Sequence, residues 1–315
     1  MKLMFSQDWL DRASREDRGE LVVSGPISPV SATSSDVASL VQEFSKSSAA
    51  REMFRRGWIM LTEKNEKTLV IAEWLGTCFN QPSLLEGGQL FRGSAKLTTL
   101  DVVAQLASFA WIFRVTNIAN QQRVTEFDAE KLDSRELKKL INLSTLVDGP
   151  VRVKDWMRRH GIHFVVEHSL PGMRLDGAAI KLRGKNPLIA LTLRYDRLDN
   201  FWFTILHEIG HIKKHMSGLK GQVFLDDFDA LGERDETESE ADAFARDAFI
   251  PRDVWRRSDA YRLKTKPAIL GLAGKLGIHP AIIAGRLRYE TNDYSLFPEL
   301  VGQGVVGSML VKLGD

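Results

Sequence analysis

The sequence predicts an α+β fold, in which a small antiparallel sheet is combined with many helices. Three observations lead to this prediction: helical apolar spacing in the first half of the chain, three short apolar segments in the middle, and two amphipathic helical segments after them. The strands are predicted at 162–166, 177–182 and 188–194. Residues 183–187 have turn composition, which favours a hairpin between the last two strands.

The helical segments share apolar residues that recur three and four positions apart, which places those residues on one face of each helix. Before the strands, helices are predicted from about residue 35 and over 66–78, 98–117, 133–146 and 153–160. After the strands, they are predicted over about 199–215 and 236–249, with Pro251 marking the end of the second. Residues 266–290 predict two shorter helices.

Four regions follow from this order of segments. The polar residues 1–36, rich in Ser, Gly and Pro, predict a flexible N-terminal arm or linker. An all-helical domain is predicted over 37–147, and a core that contains the sheet is predicted over 148–260. The remaining residues, 261–315, predict a C-terminal helical extension.

The composition excludes several classes of protein. With 43% hydrophobic and 27% charged residues, the chain has the profile of a globular protein. Its net charge of +2 does not indicate a nucleic-acid or membrane partner. Cys78 is the lone cysteine, which excludes an internal disulfide and a cysteine-rich zinc site. No apolar run reaches the roughly 20 residues of a membrane helix, and no signal peptide is evident. We therefore expect a cytoplasmic protein without a membrane partner.

The strongest functional signal is the pattern H-E-x-x-H at residues 207–211. His207 and His211 lie one helical turn apart, so both imidazoles face the same point and can bind one Zn²⁺. Glu208 is offset by one residue, so it can take a proton from zinc-activated water without binding the metal. This spacing is typical of metallopeptidases, and it predicts a zinc-dependent endopeptidase with Glu208 as the catalytic base and acid.

A catalytic zinc ion needs a third protein ligand, and the second predicted helix offers four acidic residues. Glu238 and Asp242 are four residues apart and share a face, whereas Glu240 points away from that face. We therefore predict Glu238, rather than Glu236 or Glu240, as the third metal ligand. Asp242 is predicted to accept a hydrogen bond from the far nitrogen of a ligating histidine, which fixes its tautomer.

Other polar residues near these motifs allow alternative interpretations. Tyr195, Arg197 or His215 could stabilise the transition state, although a partly exposed position at a helix end is the simpler interpretation of His215. The segment 266–290 has helix-turn-helix rhythm, with Arg286 and Arg288 on its second helix. Packing of these two helices on the core is favoured, so direct DNA binding is not expected.

The two motifs resemble those of the ImmA/IrrE metallopeptidases. Residues 199–211 are similar to that family's FT-x-x-HE-x-GH helix, and residues 238–245 are similar to its E-x-E-A-N-x-F-A motif. Asp242 stands where the family commonly has Asn, a change that suits a hydrogen-bonding role. The resemblance covers about 150–255 and implies a zincin-like metallopeptidase core over 148–260.

The resemblance also implies a regulatory role. Members of the family are implicated in cleaving XRE-type repressors, in stress responses and in toxin–antitoxin systems. Longer members carry an N-terminal helix-turn-helix, but residues 1–50 are too polar and Ser-rich to form one here. The expected partner is thus a protein substrate, such as a repressor or an antitoxin. The alternative is a weakly active or non-catalytic, antitoxin-like module that binds a partner through the same fold.

Overall fold

The computed structural model describes residues 34–61, 66–79, 99–182, 186–216, 223–225 and 236–311. The predicted N-terminal arm lies outside the described residues, apart from 34–36, which belong to the first helix.

Some of the first helices begin at residues with side chains that cap backbone N–H groups. Ser47 accepts a hydrogen bond from the Ala50 amide, and Asp133 accepts one from the Glu136 amide. The helices before the sheet are α1 Ser34–Lys46, α2 Ser48–Arg55, α3 Lys67–Phe79, α4 Thr99–Ala119, α5 Ser134–Asn142 and α6 Gly149–Arg159, with short 3₁₀ turns at Ala129–Lys131 and Leu143–Thr145.

The sheet has four strands in the order β1-β3-β2-β4, and their bounds are β1 His163–Val166, β2 Gly177–Lys181, β3 Pro187–Leu191 and β4 Val223–Leu225. β2 is antiparallel to both β3 and β4, and most of the predicted turn between β2 and β3, residues 183–185, lies outside the described residues. The expectation of an antiparallel sheet is wrong for β1, which pairs with β3 in parallel. The reason lies in the connection: residues 167–176 carry the chain past the position of β3, so that β3 returns between β1 and β2.

The helices after the strands complete the fold. They are α7 Leu198–His215, α8 Glu236–Phe249, α9 Arg252–Arg257, α10 Asp259–Leu263, α11 Lys266–Leu276, α12 Pro280–Thr291 and α13 Val305–Val311. The predicted mixture of helices and a small sheet is confirmed, in keeping with an α+β, zincin-like fold.

Each face of the sheet is covered by a different set of helices. Successive residues of a strand point to opposite faces. In β1, Val165 joins an apolar cluster with α1, α2, α3 and α4, whereas Phe164 joins a second cluster with α5, α6, α7 and α8. In β3, Ala190 and Ile189 divide in the same way. The strands are therefore apolar on both faces, which explains their continuous apolar sequences.

The predicted division into four regions stays a prediction. Within 37–147, the described helices contribute to both clusters: α4 packs with α1, α2 and α3 on one face of the sheet, and α5 packs on the other.

Val102–Ala119 of α4 is long and apolar enough to cross a membrane by length and composition. Because 72% of that window is buried inside the protein, it is explained as a core helix.

Candidate metal centre

The candidate site is formed where α7 and α8 pack closely against each other. A methyl group on Gly210 would lie 3.2 Å from Cα of Ala241 and 3.1 Å from Cδ1 of Phe244. Glycine at 210 therefore allows a closer approach of the helices than a larger residue would. Ala241 and Ala245, which are fully buried, present a small surface on the α8 side. This contact brings the acidic residues of α8 to the histidines of α7.

The three residues predicted as metal ligands lie together. Nε2 of His207 is 2.9 Å from Nε2 of His211. The carboxylate of Glu238 contacts both nitrogens: its Oε2 lies 3.1 Å from Nε2 of His207, and its Oε1 lies 3.3 Å from Nε2 of His211. The histidines are almost completely buried, at 4% and 0% exposed. One ligand atom from each residue thus faces a common point on a buried surface.

The spacing of these atoms fits a metal ion. Four ligands at roughly 2.0–2.1 Å from a tetrahedral zinc ion lie about 3.3–3.4 Å from one another. The observed separations among His207, His211 and Glu238 are close to this value, and all three ligand atoms lie within 4.8 Å of one another. The donor set of two imidazoles and one carboxylate is one of those found in catalytic zinc sites. These residues can therefore hold zinc.

The protonation state of Glu238 suits a ligand. Burial raises the pKa of its carboxyl group, but hydrogen bonds with His207 and His211, and the positive charge of these rings when they are protonated, lower it to about 2. The group is therefore ionised at neutral pH. An ionised carboxylate is the form that binds a cation.

Asp242 lies behind His207, on the side away from the other ligands. Its Oδ1 is 3.1 Å from Nδ1 of His207, and its Oδ2 accepts a hydrogen bond of 3.1 Å from Arg246. A proton on Nδ1 of His207 leaves a lone pair on Nε2, which is the atom that faces the candidate metal position. The role predicted for Asp242 stays a prediction, and this contact supports it.

Glu208 is fully buried and lies against the sheet. A methyl group at Gly177, the first residue of β2, would be 2.5 Å from Oε1 of Glu208 and 2.6 Å from Cγ2 of Thr204. Glycine at 177 thus leaves the room that this carboxylate occupies. The sheet contributes to the site by setting the position of Glu208.

His215 is the partly exposed last residue of α7, as its simplest interpretation predicts, and it also has defined partners. Its side chain is 10% exposed, and its Nδ1 lies 3.2 Å from Nδ1 of His211. Its Nε2 lies 3.0 Å from Oε2 of Glu240. Since His215 is behind His211, it is not placed to stabilise a charge at the metal position. Sequence reasoning missed the partnership with Glu240, although the four-residue spacing from His211 was a usable signal.

The other two candidates for transition-state stabilisation lie at the opposite end of α7. At a rise of about 1.5 Å per residue, the start of α7 is about 13 Å from His207 along the helix axis. Arg197 donates two hydrogen bonds to Asp199, of 2.9 and 3.2 Å. The ring of Tyr195 lies beneath the guanidinium groups of Arg194 and Arg197, at 4.9 and 5.5 Å. These contacts support a structural role for both residues.

The side chains of the two arginines considered for DNA binding form hydrogen bonds within the protein. Arg286 donates hydrogen bonds to Glu290 and to the carbonyl oxygen of Ile250, and its side chain is 10% exposed. Arg288 is 7% exposed and donates to the carbonyl oxygen of Tyr294. Neither side chain is presented to a nucleic acid in this arrangement, which supports the packing interpretation of 266–290.

Comparison with known proteins agrees with this geometry. Residues 157–288 match the M78 peptidase family model, which is described as an IrrE N-terminal-like domain. The match begins at the end of α6, ends within α12 and includes both helices of the candidate site. A search of curated proteins finds no match. The family match indicates a metallopeptidase domain in this part of the chain.

Proposed function

We propose that this chain, whose residues 157–288 match the M78 peptidase family model, is a zinc-dependent endopeptidase of the ImmA/IrrE type with a regulatory role. The observation that carries the proposal is the convergence of His207, His211 and Glu238 beside a buried glutamate. Within a metallopeptidase domain, this is the arrangement needed to cleave a peptide bond. The zinc ion, when bound, supplies Lewis-acid chemistry that makes water a nucleophile at neutral pH.

Glu208 provides the proton transfers. As a base, its carboxylate removes a proton from the water that attacks the scissile carbonyl carbon, and a carbon–oxygen bond forms. As an acid, it returns that proton to the amide nitrogen, and the carbon–nitrogen bond breaks. Its burial keeps bulk water away from the carboxylate, and Gly177 leaves room for it beside the sheet.

The remaining residues hold these groups in position. Asp242 fixes the tautomer of His207, and Arg246 holds Asp242. The substrate proposed for this site is a folded regulator or its flexible tail, such as an XRE-type repressor or an antitoxin, in the cytoplasm. The resemblance of both motifs to the ImmA/IrrE family supports this substrate class.

The test compares the zinc-loaded full chain with Glu208→Gln on a proteome-derived peptide library and on purified XRE-type repressors, with products identified by mass spectrometry. The variant should keep one zinc ion per chain and lose at least about 10²-fold in kcat/KM, because general acid–base catalysis contributes about 10²–10⁴-fold. Glu236→Gln is the matched control, since Glu236 is an exposed carboxylate on α8. It should cleave like the parent.

Two results would contradict the proposal. If Glu208→Gln cleaves as fast as the parent, the assigned mechanism is wrong. If the parent holds zinc but cleaves neither probe, the alternative of a non-catalytic, partner-binding module is favoured instead.

A further inference from the structure

We propose that His215 and Glu240 form a hydrogen-bonded relay that positions His211 as a metal ligand. The inference rests on the proposed zinc site, and it assigns a positioning role to two residues outside the ligand set. His215 lies one turn after His211 on α7, and Glu240 reaches it from α8. The relay therefore joins the two helices at the end of the site opposite Asp242.

The geometry forms a continuous chain of contacts. The two Nδ1 atoms of His211 and His215 are 3.2 Å apart, and Nε2 of His215 is 3.0 Å from Oε2 of Glu240. The side chains become more exposed along the chain, from 1% for His211 to 10% for His215 and 47% for Glu240. His215 therefore stands between a buried ligand and a carboxylate that solvent reaches.

The arrangement of protons follows from the metal site. Nε2 of His211 faces the candidate metal position and must keep its lone pair, so Nδ1 carries the proton. That N–H donates to Nδ1 of His215, which must then be an acceptor. The proton of His215 is on Nε2, where it donates to the Glu240 carboxylate. One tautomer of each ring satisfies all three contacts.

The two ligating histidines are thus held in different ways from the same helix. His207 donates directly to Asp242, whereas His211 reaches a carboxylate through an intervening imidazole. A hydrogen-bonded partner fixes ring orientation and raises the basicity of a ligating histidine. Without His215, Nδ1 of the buried His211 would lose this acceptor. The ring would then be less well oriented toward the metal.

The experiment measures zinc affinity of the full chain by competition with a chelator of known affinity. His215→Ala should weaken zinc binding by about 10–100-fold, the usual effect of removing a supporting partner. His215→Asn should recover most of that loss, because its side-chain oxygen can accept the same hydrogen bond from His211. Glu236→Ala, which removes an exposed carboxylate from α8, should bind zinc like the parent.

A double-mutant cycle tests whether Glu240 acts through His215. Glu240→Ala should weaken zinc binding, and the double variant with His215→Ala should be no weaker than His215→Ala alone. Additive losses would contradict the relay. A second readout is the Nδ1–H resonance of His211 in the zinc-loaded protein. This proton should exchange slowly in the parent and in Glu236→Ala, and quickly in His215→Ala.

The outcomes separate this inference from the proposed function. If the parent binds zinc and His215→Ala binds it equally well, the relay is wrong while the peptidase proposal stands. If the parent does not bind zinc, the proposed function fails and the relay fails with it. If His215→Ala folds poorly, His215→Asn provides the test instead. A loss of zinc affinity in His215→Asn as large as the loss caused by removing a ligand, in Glu238→Ala, would contradict a role for His215 that is limited to accepting one hydrogen bond.

Discussion

Gly177 lies directly against the carboxylate of Glu208, so that a methyl group at position 177 would be 2.5 Å from Oε1. The contact joins the first residue of β2 to the middle of α7. A separation below 3.0 Å requires one of the two groups to move. Because Glu208 is fully buried, its carboxylate has little room to do so.

Gly177→Ala should therefore impair both stability and cleavage. Overpacking of a buried site costs about 1–3 kcal/mol, which chemical denaturation can measure. Cleavage should fall while zinc is retained, because the methyl group displaces Glu208 and not the ligands. The control is Gly271→Ala on α11, where an added methyl group would meet no other part of the protein within 4 Å beyond the backbone of its own helix and its chain neighbours. It should be neutral or more stable, and equal losses in both variants would contradict the steric explanation.

Two replacements of Asp242 should lower zinc affinity to different extents. Asp242→Ala removes the acceptor for Nδ1–H of His207, and a loss of about 10–100-fold in zinc affinity is expected. Asp242→Asn keeps a carbonyl oxygen that can accept this hydrogen bond, so its loss should be much smaller. Competition titration with a chelator measures both. Equal affinities for the Ala and Asn variants would show that the hydrogen bond does not support His207.

Arg56 should be important for stability because it joins the N-terminal helices to the sheet. Its guanidinium group donates to the carbonyl oxygens of His168 and Ser169, just after β1, at 2.6 and 2.8 Å. Hydrogen bonds to charged groups contribute about 1.5–3 kcal/mol each, so Arg56→Ala should lower the free energy of unfolding by at least about 2 kcal/mol. Thermal or urea unfolding measures this change.

The neighbouring arginine offers a matched control. Arg55 is 73% exposed, and its side chain bonds to Glu52 within the same helix. Solvent screens an exposed pair of this kind, so Arg55→Ala should change the free energy of unfolding far less than Arg56→Ala does. If the two variants are equally destabilised, the hydrogen bonds from Arg56 to His168 and Ser169 are not the cause of the lost stability.

The pH dependence of stability should include a contribution from Glu52. Hydrogen bonds from Arg55 and then Arg56 lower the pKa of its carboxyl group from the ordinary 4.5 to about 2. A lowered folded-state pKa contributes stability that is present above pH 4.5 and is lost as pH falls toward 2. Glu52→Gln should be slightly less stable than the parent at neutral pH, because solvent screens much of this exposed pair, and the difference should shrink as the pH falls through this window. A constant difference over the same range would contradict the assignment.

Local patterns in the sequence predict most of the elements that form the site. The apolar spacing before His207 predicts α7, and the run of acidic residues and alanines that begins at Glu236 predicts α8. The observed bounds Leu198–His215 and Glu236–Phe249 agree with the predicted ones within one residue. The convergence of ligands could also be predicted, since the four-residue spacings determine which side chains share a face.

Relationships between distant segments could not be predicted in this way. The parallel pairing of β1 with β3 depends on the route that residues 167–176 take between the strands. The spacing of apolar residues predicts helices and strands, but it does not predict the route of a connection. The contact between His215 and Glu240 depends on the rotation of α8 against α7, which packing at Gly210 and Ala241 determines. Spacing within α8 indicates that Glu240 points away from Glu238 and Asp242, but it does not show which side chain of α7 lies there.

The contact between Gly210 and Ala241 also has a consequence for the newly made chain. During synthesis the histidines of α7 leave the ribosome before α8 exists, and a preformed metal site is rare in an unfolded chain. The ligand set is completed only after residue 238 has emerged and the two helices have docked. We therefore expect a nascent chain to be inactive as a peptidase, toward itself and toward its neighbours on the same polysome, until α8 has been made.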